Sequence, residues 1–123
     1  MPRVKDPSLD EFVEECRNPK WDRTLPRAWI EDGPVRFYLR RAEHVLDSVG
    51  VPTLDLANGG VLKEERGKGH FTAFLERVEQ AAKSLGRRVY VENVLNPILA
   101  DFLRRRGYLE RGHEECPCFW SPE

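Results

Sequence analysis

The stretch EERGKGHF, Glu64–Phe71, sets two glycines among basic side chains just before a long periodic segment. Glycine allows the backbone angles of a tight turn and lets a bulky anion reach the main chain without meeting a Cβ atom. Where such a turn opens a helix, the first unpaired N–H groups point together at one spot, which suits an anion. Arg66 and Lys68 flank that spot. Two nucleotide loops fail against the spacing. A Walker loop needs GxxxxGK followed by Ser or Thr, but Gly69 follows Lys68 and position 62 is Leu62. A dinucleotide fingerprint needs a third glycine where Thr72 stands. What survives is a local anion cradle, set against a plain strand-to-helix turn with solvated basic residues.

Groups able to move a proton lie elsewhere. Glu92 ends a strand, His44 and Asp55 lie on the hairpin before it, His70 opens the periodic segment, and Tyr108 follows Gly107. Each has a structural alternative: a carboxylate at a strand end is usually just solvated, and an aromatic in the place of Tyr108 normally packs in a core. His113, Cys116 and Cys118 have the spacing HxxCxC, which matches no common zinc pattern, so no metal is expected. Three cysteines cannot all pair within one chain, which argues against a disulfide scaffold.

The 123 residues suit one domain, 1–123. Lys and Arg total 20 against 21 Asp and Glu, so a net charge of −1 provides no global basic field and makes a nucleic-acid partner unlikely by charge. The runs Arg104–Arg106 and Arg87–Arg88 read as a solvated helix face and a strand edge. The N-terminus lacks the apolar region of a signal peptide and no run is long enough to span a bilayer, so a cytoplasmic protein with no membrane partner is expected, as monomer or homodimer.

These groups must be held by a mixed sheet with helices. Ser8 and Glu11 form a capping box ahead of Leu9, Phe12, Val13 and Cys16, a short helix ending near Asn18 and Pro19. RAWI leads through a turn at Glu31–Pro34 into Val35–Leu46, a strand of period two. A turn over Asp47–Pro52 joins it to a strand over Thr53–Leu62, giving an antiparallel hairpin in which Gly59 and Gly60 mark a bulge or a close approach. Phe71, Phe74, Leu75, Val78, Ala81, Ala82 and Leu85 form one helical face, and Gly86 stops that helix. Arg87–Val94 is a buried strand. Asn96 and Pro97 open a helix ending at Gly107, and the tail from Tyr108 to Trp120 is a strand or irregular hairpin. The unit Thr53–Val94 is a crossover with parallel or splayed strands.

The sequence also resembles a family. VLKEERGKGHFTAFLERVEQAAKSLG resembles the central motif of the GNAT acyltransferase superfamily, an Arg or Gln followed by xxGxG or xxGxA between a strand and a helix. NPILADFLRRRGY is similar to its second signature, an Asn opening a helix that ends in Gly and Phe or Tyr. The two cover roughly Thr53–Tyr108, in order. The small size is similar to phage- and prophage-encoded members.

The resemblance implies an α/β (α+β) fold, truncated at its N-terminal side: a mostly antiparallel sheet with a parallel splayed strand pair, flanked by helices. It implies acetyl-CoA as cofactor and an N-acetyltransferase acting on the amine of a small molecule or protein. Backbone amides from Arg66 through Gly67, Lys68, Gly69, His70, Phe71 and Thr72 would hold the pyrophosphate. Gly60, Val61 and Leu62 would pair with the pantetheine arm, Asn96 would touch the cofactor, and an N–H of Asn58–Leu62 would stabilise the oxyanion. Glu92, His44 and Tyr108 are the catalytic candidates.

Two positions depart from the pattern. Glu64 replaces the usual Arg or Gln, with Arg66 placed to compensate. Leu103 stands where many members carry the tyrosine that protonates the departing thiolate. A non-catalytic, CoA-binding interaction or regulatory protein, phage-related in origin, is the alternative.

Overall fold

The computed structural model describes residues 7–17, 26–111 and 117–122. Helix α1, Leu9–Arg17, begins at the capping box: the Glu11 N–H donates to Ser8 Oγ at 3.1 Å and the Ser8 N–H to Glu11 Oε1 at 3.3 Å. Strands β1 (Arg27–Asp32), β2 (Val35–Leu46) and β3 (Val49–Val61) form an antiparallel meander. Helix α2, His70–Ser84, crosses to β4, Arg88–Val91, which runs parallel to β3. Helix α3, Pro97–Arg105, leads to β5, Leu109–Arg111, and β6, Cys118–Trp120, inserts between β4 and β5. The sheet order is β1-β2-β3-β4-β6-β5, and its single parallel pair is the one expected from the crossover. The end of α1 at Asn18 and Pro19, and both His113 and Cys116, lie outside the described residues.

Several boundaries differ from expectation: β1 runs on through Glu31 and Asp32, so the turn expected over Glu31–Pro34 is only Gly33 and Pro34. The turn placed over Asp47–Pro52 is only Asp47 and Ser48, with φ of 50° and 66°. These are the positive angles of a tight hairpin turn matched to strand twist. Pro52 therefore belongs to β3, on a stretch preceding the first β4 pair, Thr53 with Arg88, where an edge tolerates a missing N–H. The strand expected over Arg87–Val94 is only Arg88–Val91.

The shortening has a cause in β3. Tyr38 faces Asn58 but Leu39 faces Leu56, so Ala57 is an extra residue on β3, a bulge. Beyond it β3 stays with β2 to Val61 and parts from β4. The last link is the Glu92 N–H donating to the Leu56 carbonyl at 3.0 Å, and Asn93, at φ 55°, turns the chain away. The sheet therefore opens in a V.

Gly59 has φ +142°, and a Cβ there would lie 2.6 Å from Phe37 Cα and closer still to the Arg36 carbonyl oxygen. Its missing side chain thus serves the approach of β2. Gly60 is different, since a Cβ there would meet nothing within 4 Å.

Strand alternation sorts the sheet into two faces. Leu54, Leu56, Val89, Val91 and Phe119 join Phe12, Phe74, Leu75, Val78 and Leu103 in one core beneath the helices. Thr53, Asp55, Tyr90 and Trp120 alternate with them, and Leu46, Tyr90 and Trp120 form a separate apolar group. Among the described residues no helix is long and apolar enough to cross a membrane.

Gly59→Ala should destabilise the fold by about 1–3 kcal/mol, read as a lower urea midpoint. Gly60→Ala should change stability by less than about 0.5 kcal/mol in the same measurement.

Candidate functional site

The V between β3 and β4 opens into a cleft of about 790 Å³. One wall is the free edge of β3 from Ala57 to Val61, whose backbone groups on this side have no β4 partner. The floor is the glycine turn and the start of α2, with Arg66, Gly67, Gly69, His70, Phe71 and Thr72 all lining the space. The other wall is Val91, Glu92 and Asn93 after β4, with Asn96, Ile98, Leu99 and Phe102 of α3.

The turn has the geometry that an anion cradle needs. Gly67 and Gly69 have φ of 81° and 84°, and a Cβ on either would meet no atom within 4 Å, so the space above them is open. Gly69 is the N-cap of α2, no side chain caps the helix, and its first turn carries no acid. The N–H groups of that turn are left facing the cleft with their partial positive charge uncompensated by a cap. Arg66 Nε donates to the Val61 carbonyl at 3.2 Å and ties the turn to β3.

The acid at this entrance is Glu65 rather than Glu64. Glu65 Oε2 lies 3.0 Å from His70 Nε2 and 3.3 Å from Lys68 Nζ. An entering anion therefore competes with an internal carboxylate for both groups. Lys68 and Leu62 do not line the cleft, and Leu62 faces a smaller groove on the far side of β3. Asn96 lines the cleft, but its Oδ1 accepts from the Ile98 N–H at 2.9 Å as the cap of α3.

The catalytic candidates separate sharply. Tyr108 is buried, and its hydroxyl donates to Glu79 Oε2 at 2.7 Å. Burial and that bond push its phenol far above the ordinary range. Burial also acts to raise Glu79, but hydrogen bonds from Arg106 and Tyr108 outweigh it and hold the carboxyl below its usual value. This trio ties α3 to α2 and is not part of the cleft lining. Leu103 is fully buried in the core, so Ile98, Leu99 and Phe102 are the side chains α3 presents to the cleft, and none carries a proton to give.

Glu92, His44 and Asp55, scattered in sequence, meet. Asp55 is 0 % exposed and holds Arg40 Nε at 3.1 Å, His44 Nε2 at 2.8 Å and the Thr53 hydroxyl at 2.7 Å. Arg40 also donates to Glu92 Oε1. His44 stacks on Tyr90 at 3.8 Å between ring centroids, and burial pushes the Tyr90 phenol up to about 12. Ligand atoms of His44, Asp55 and Glu92 lie within 4.8 Å of one another. The Arg40 guanidinium sits among them and neutralises both carboxylates, which is the wrong company for a divalent cation. Burial lifts the Glu92 carboxyl above its usual range, with Asp55 adding to the rise and Arg40 opposing it. Glu92 alone belongs to both the cluster and the cleft, and a carboxyl poised upward in a cleft is suited to accept a proton.

Arg40 is the member that the sequence reading missed. Its pairing with Asp55 follows from the two-residue turn at Asp47–Ser48, whose register runs unbroken from Leu46–Val49 to Leu39–Leu56.

This architecture, a sheet splayed beside a glycine-turn helix, is that of the GNAT acetyltransferases, and the chain has their fold. Solved structures show the likeness directly. The AtaT toxin in complex with acetyl-methionyl-tRNAfMet matches with a TM-score of 0.60 and 16% identity, covering 90% of this chain and 76% of that one. A tyrosine-to-phenylalanine variant of AtaT, bound to the C-terminus of the antitoxin AtaR and acetyl-CoA, matches with a TM-score of 0.56 and 17% identity over 72% of this chain. This chain spans only 57% of that protein's length. NAA60 of Arabidopsis thaliana with a bisubstrate analogue gives 0.54 at 13% identity, over 76% of this chain and 72% of that one. No protein-family model matches the chain, and no curated protein is significantly similar to it in sequence.

Because the folded protein raises the Glu92 pKa, Glu92 favours folding most at low pH, and that contribution is lost as pH rises from about 4 through its folded value. Urea titrations across this range should show Glu92→Gln losing less stability with rising pH than the wild type does.

Proposed function

We propose that this protein is an acetyl-CoA-dependent N-acetyltransferase acting on a primary amine. The observation that carries the reading is the continuity of one cleft, from an unpaired strand edge at Ala57–Val61 to an uncapped helix N-terminus at Gly69, with Glu92 at the opposite wall. The free edge suits the amide groups of a pantetheine arm, and the Gly67–Gly69 turn with the first amides of α2 suits a pyrophosphate. The thioester supplies an activated acyl group.

The chain's own groups do the rest. A β3 N–H beside the bulge would stabilise the oxyanion, a contribution of about 3–4 kcal/mol in acyl transfer. Glu92 accepts the proton that an ammonium must lose before it attacks. The apolar α3 wall formed by Ile98, Leu99 and Phe102 excludes water. The acceptor is an amine of a small molecule, a protein or an aminoacyl-tRNA. The tRNA bound by AtaT and the bisubstrate analogue bound by NAA60 are ligands of those proteins and widen the acceptor panel to be tried.

A second reading, a CoA-binding protein without turnover, draws on the same α3 wall, which offers no acid in the cleft, and on the full burial of Leu103. Thiol release separates the two.

Calorimetry with acetyl-CoA should show binding that weakens about tenfold, or about 1.4 kcal/mol, in Gly67→Val or Gly69→Val, while thermal denaturation confirms that the variants remain folded. Absence of binding to the wild type removes both readings. Binding with no thiol released across small amines, peptides and aminoacyl-tRNA leaves the non-catalytic one.

A further inference from the structure

Resting on the acetyltransferase reading, we propose that Asp55 and His44 form a proton exit for Glu92, carrying the proton released by each turnover from the cleft to the opposite face of the sheet.

The need follows from atom balance. Transfer breaks the thioester C–S bond and forms an amide C–N bond, and the ammonium nitrogen loses two protons. One ends on the thiol sulfur. With no proton donor on the cleft side of α3, that proton comes from the attacking nitrogen itself as the C–S bond breaks. The other, taken first by Glu92, must reach bulk water before the next cycle. Glu92 is 17 % exposed, and it lines the very cleft that the pantetheine arm and the amine would fill. While the site is occupied that side is closed, so a second route lets Glu92 discharge before the products leave.

The cluster supplies another way. Asp55 has no exposure and cannot release a proton to water, but its carboxylate lies within 4.8 Å of the ligand atoms of Glu92 and His44, it interacts with Glu92 by hydrogen bonding, and His44 Nε2 is 2.8 Å from Asp55 Oδ2. Glu92 passes the proton to Asp55, Asp55 passes it to His44 Nε2, and His44 gives up the one on Nδ1 to solvent. A transient swing of the ring away from Asp55 then lets water take the Nε2 proton and return one to Nδ1, which restores the starting tautomer with one proton delivered per turnover. His44 is 18 % exposed, and in its resting position it meets Asp55 and stacks on Tyr90. The Thr53 hydroxyl donates to Asp55 Oδ1, which leaves Oδ2 turned toward Arg40 and His44. Arg40 bridges both carboxylates and cannot itself carry a proton, so its role is to hold them within range without taking part. The groups facing His44 are thus Arg40 from its own strand, Asp55 from β3, and Tyr90 and Glu92 on and after β4.

His44→Gln keeps an amide donor for Asp55 and so preserves the cluster. With the best amine from a panel of spermidine, tyramine and an Ala-terminated peptide, it should lower kcat about 10²-fold. Acetyl-CoA affinity by calorimetry should not change, and added imidazole should restore much of the rate in this variant but not accelerate the wild type. In the unloaded protein, Glu92→Gln should shift the His44 ring 15N resonances through Asp55, as Asp55→Asn does. An unchanged kcat in His44→Gln, or a drop that imidazole does not rescue, overturns the exit while leaving the enzyme reading intact. His44 resonances that are indifferent to Glu92→Gln overturn it as well. A wild type that binds acetyl-CoA but turns over no amine removes the enzyme reading and the exit with it.

Discussion

The molecule turns on one extra residue. Ala57 sits in β3 without a counterpart in β2, and the ladder between β3 and β4 ends one residue earlier, at Leu56. A regular pair would have continued to the strand ends and closed the sheet. The bulge instead bends β3 with β2 while β4 stops, so the sheet gives up a few ladder bonds and leaves a row of backbone groups facing a space. An unpaired strand edge is normally hazardous to a protein. Here the start of α2 and the apolar side of α3 flank it, which turns the edge into the wall of a cleft.

What stands at the cleft's end is set on the hairpin side of the bulge. The register that runs from the Asp47–Ser48 turn pairs Arg40 with Asp55, and β4 brings Tyr90 and then Glu92 to the same side. Two carboxylates this close repel one another, and an Arg between them offsets that repulsion only because both reach it. The cluster is therefore an all-or-none assembly: removing Arg40 would leave Asp55 charged, buried and short of a partner.

The fold was readable wherever local chemistry decides. The α2 stripe and Gly86 stop, the Ser8 capping box, the Asn96–Pro97 opening of α3 and the glycine turn are all set by residues within a few positions of each other, and each appears as expected. What failed depends on partners far away in sequence. The strand through Val94 ends at Val91 because β3 leaves it, and the Asp47–Ser48 turn lacks the usual glycine. Gly59 does mark the close approach expected of it, and the group that approaches is the backbone of Arg36 and Phe37. His44, Asp55 and Glu92 could each be named, but nothing in a linear pattern says that the three converge or that Arg40 lies between them.

Leu103 takes on a different meaning in the folded chain. Its helix meets α2 through the Arg106–Glu79 pair and the Tyr108 hydroxyl, which fixes the rotation of α3. At that rotation Leu103 is in the core and Phe102 meets Phe71 at the cleft floor, with ring centroids 6.0 Å apart. A tyrosine at 103 would have to push a hydroxyl into packed hydrocarbon or rotate the helix against three hydrogen bonds to Glu79. The lack of a proton donor on the cleft side of α3 is thus built into how the helix seats. In the reaction proposed above, acid–base work would fall to the other wall, where Glu92 is the titratable side chain that the splay and the buried cluster share.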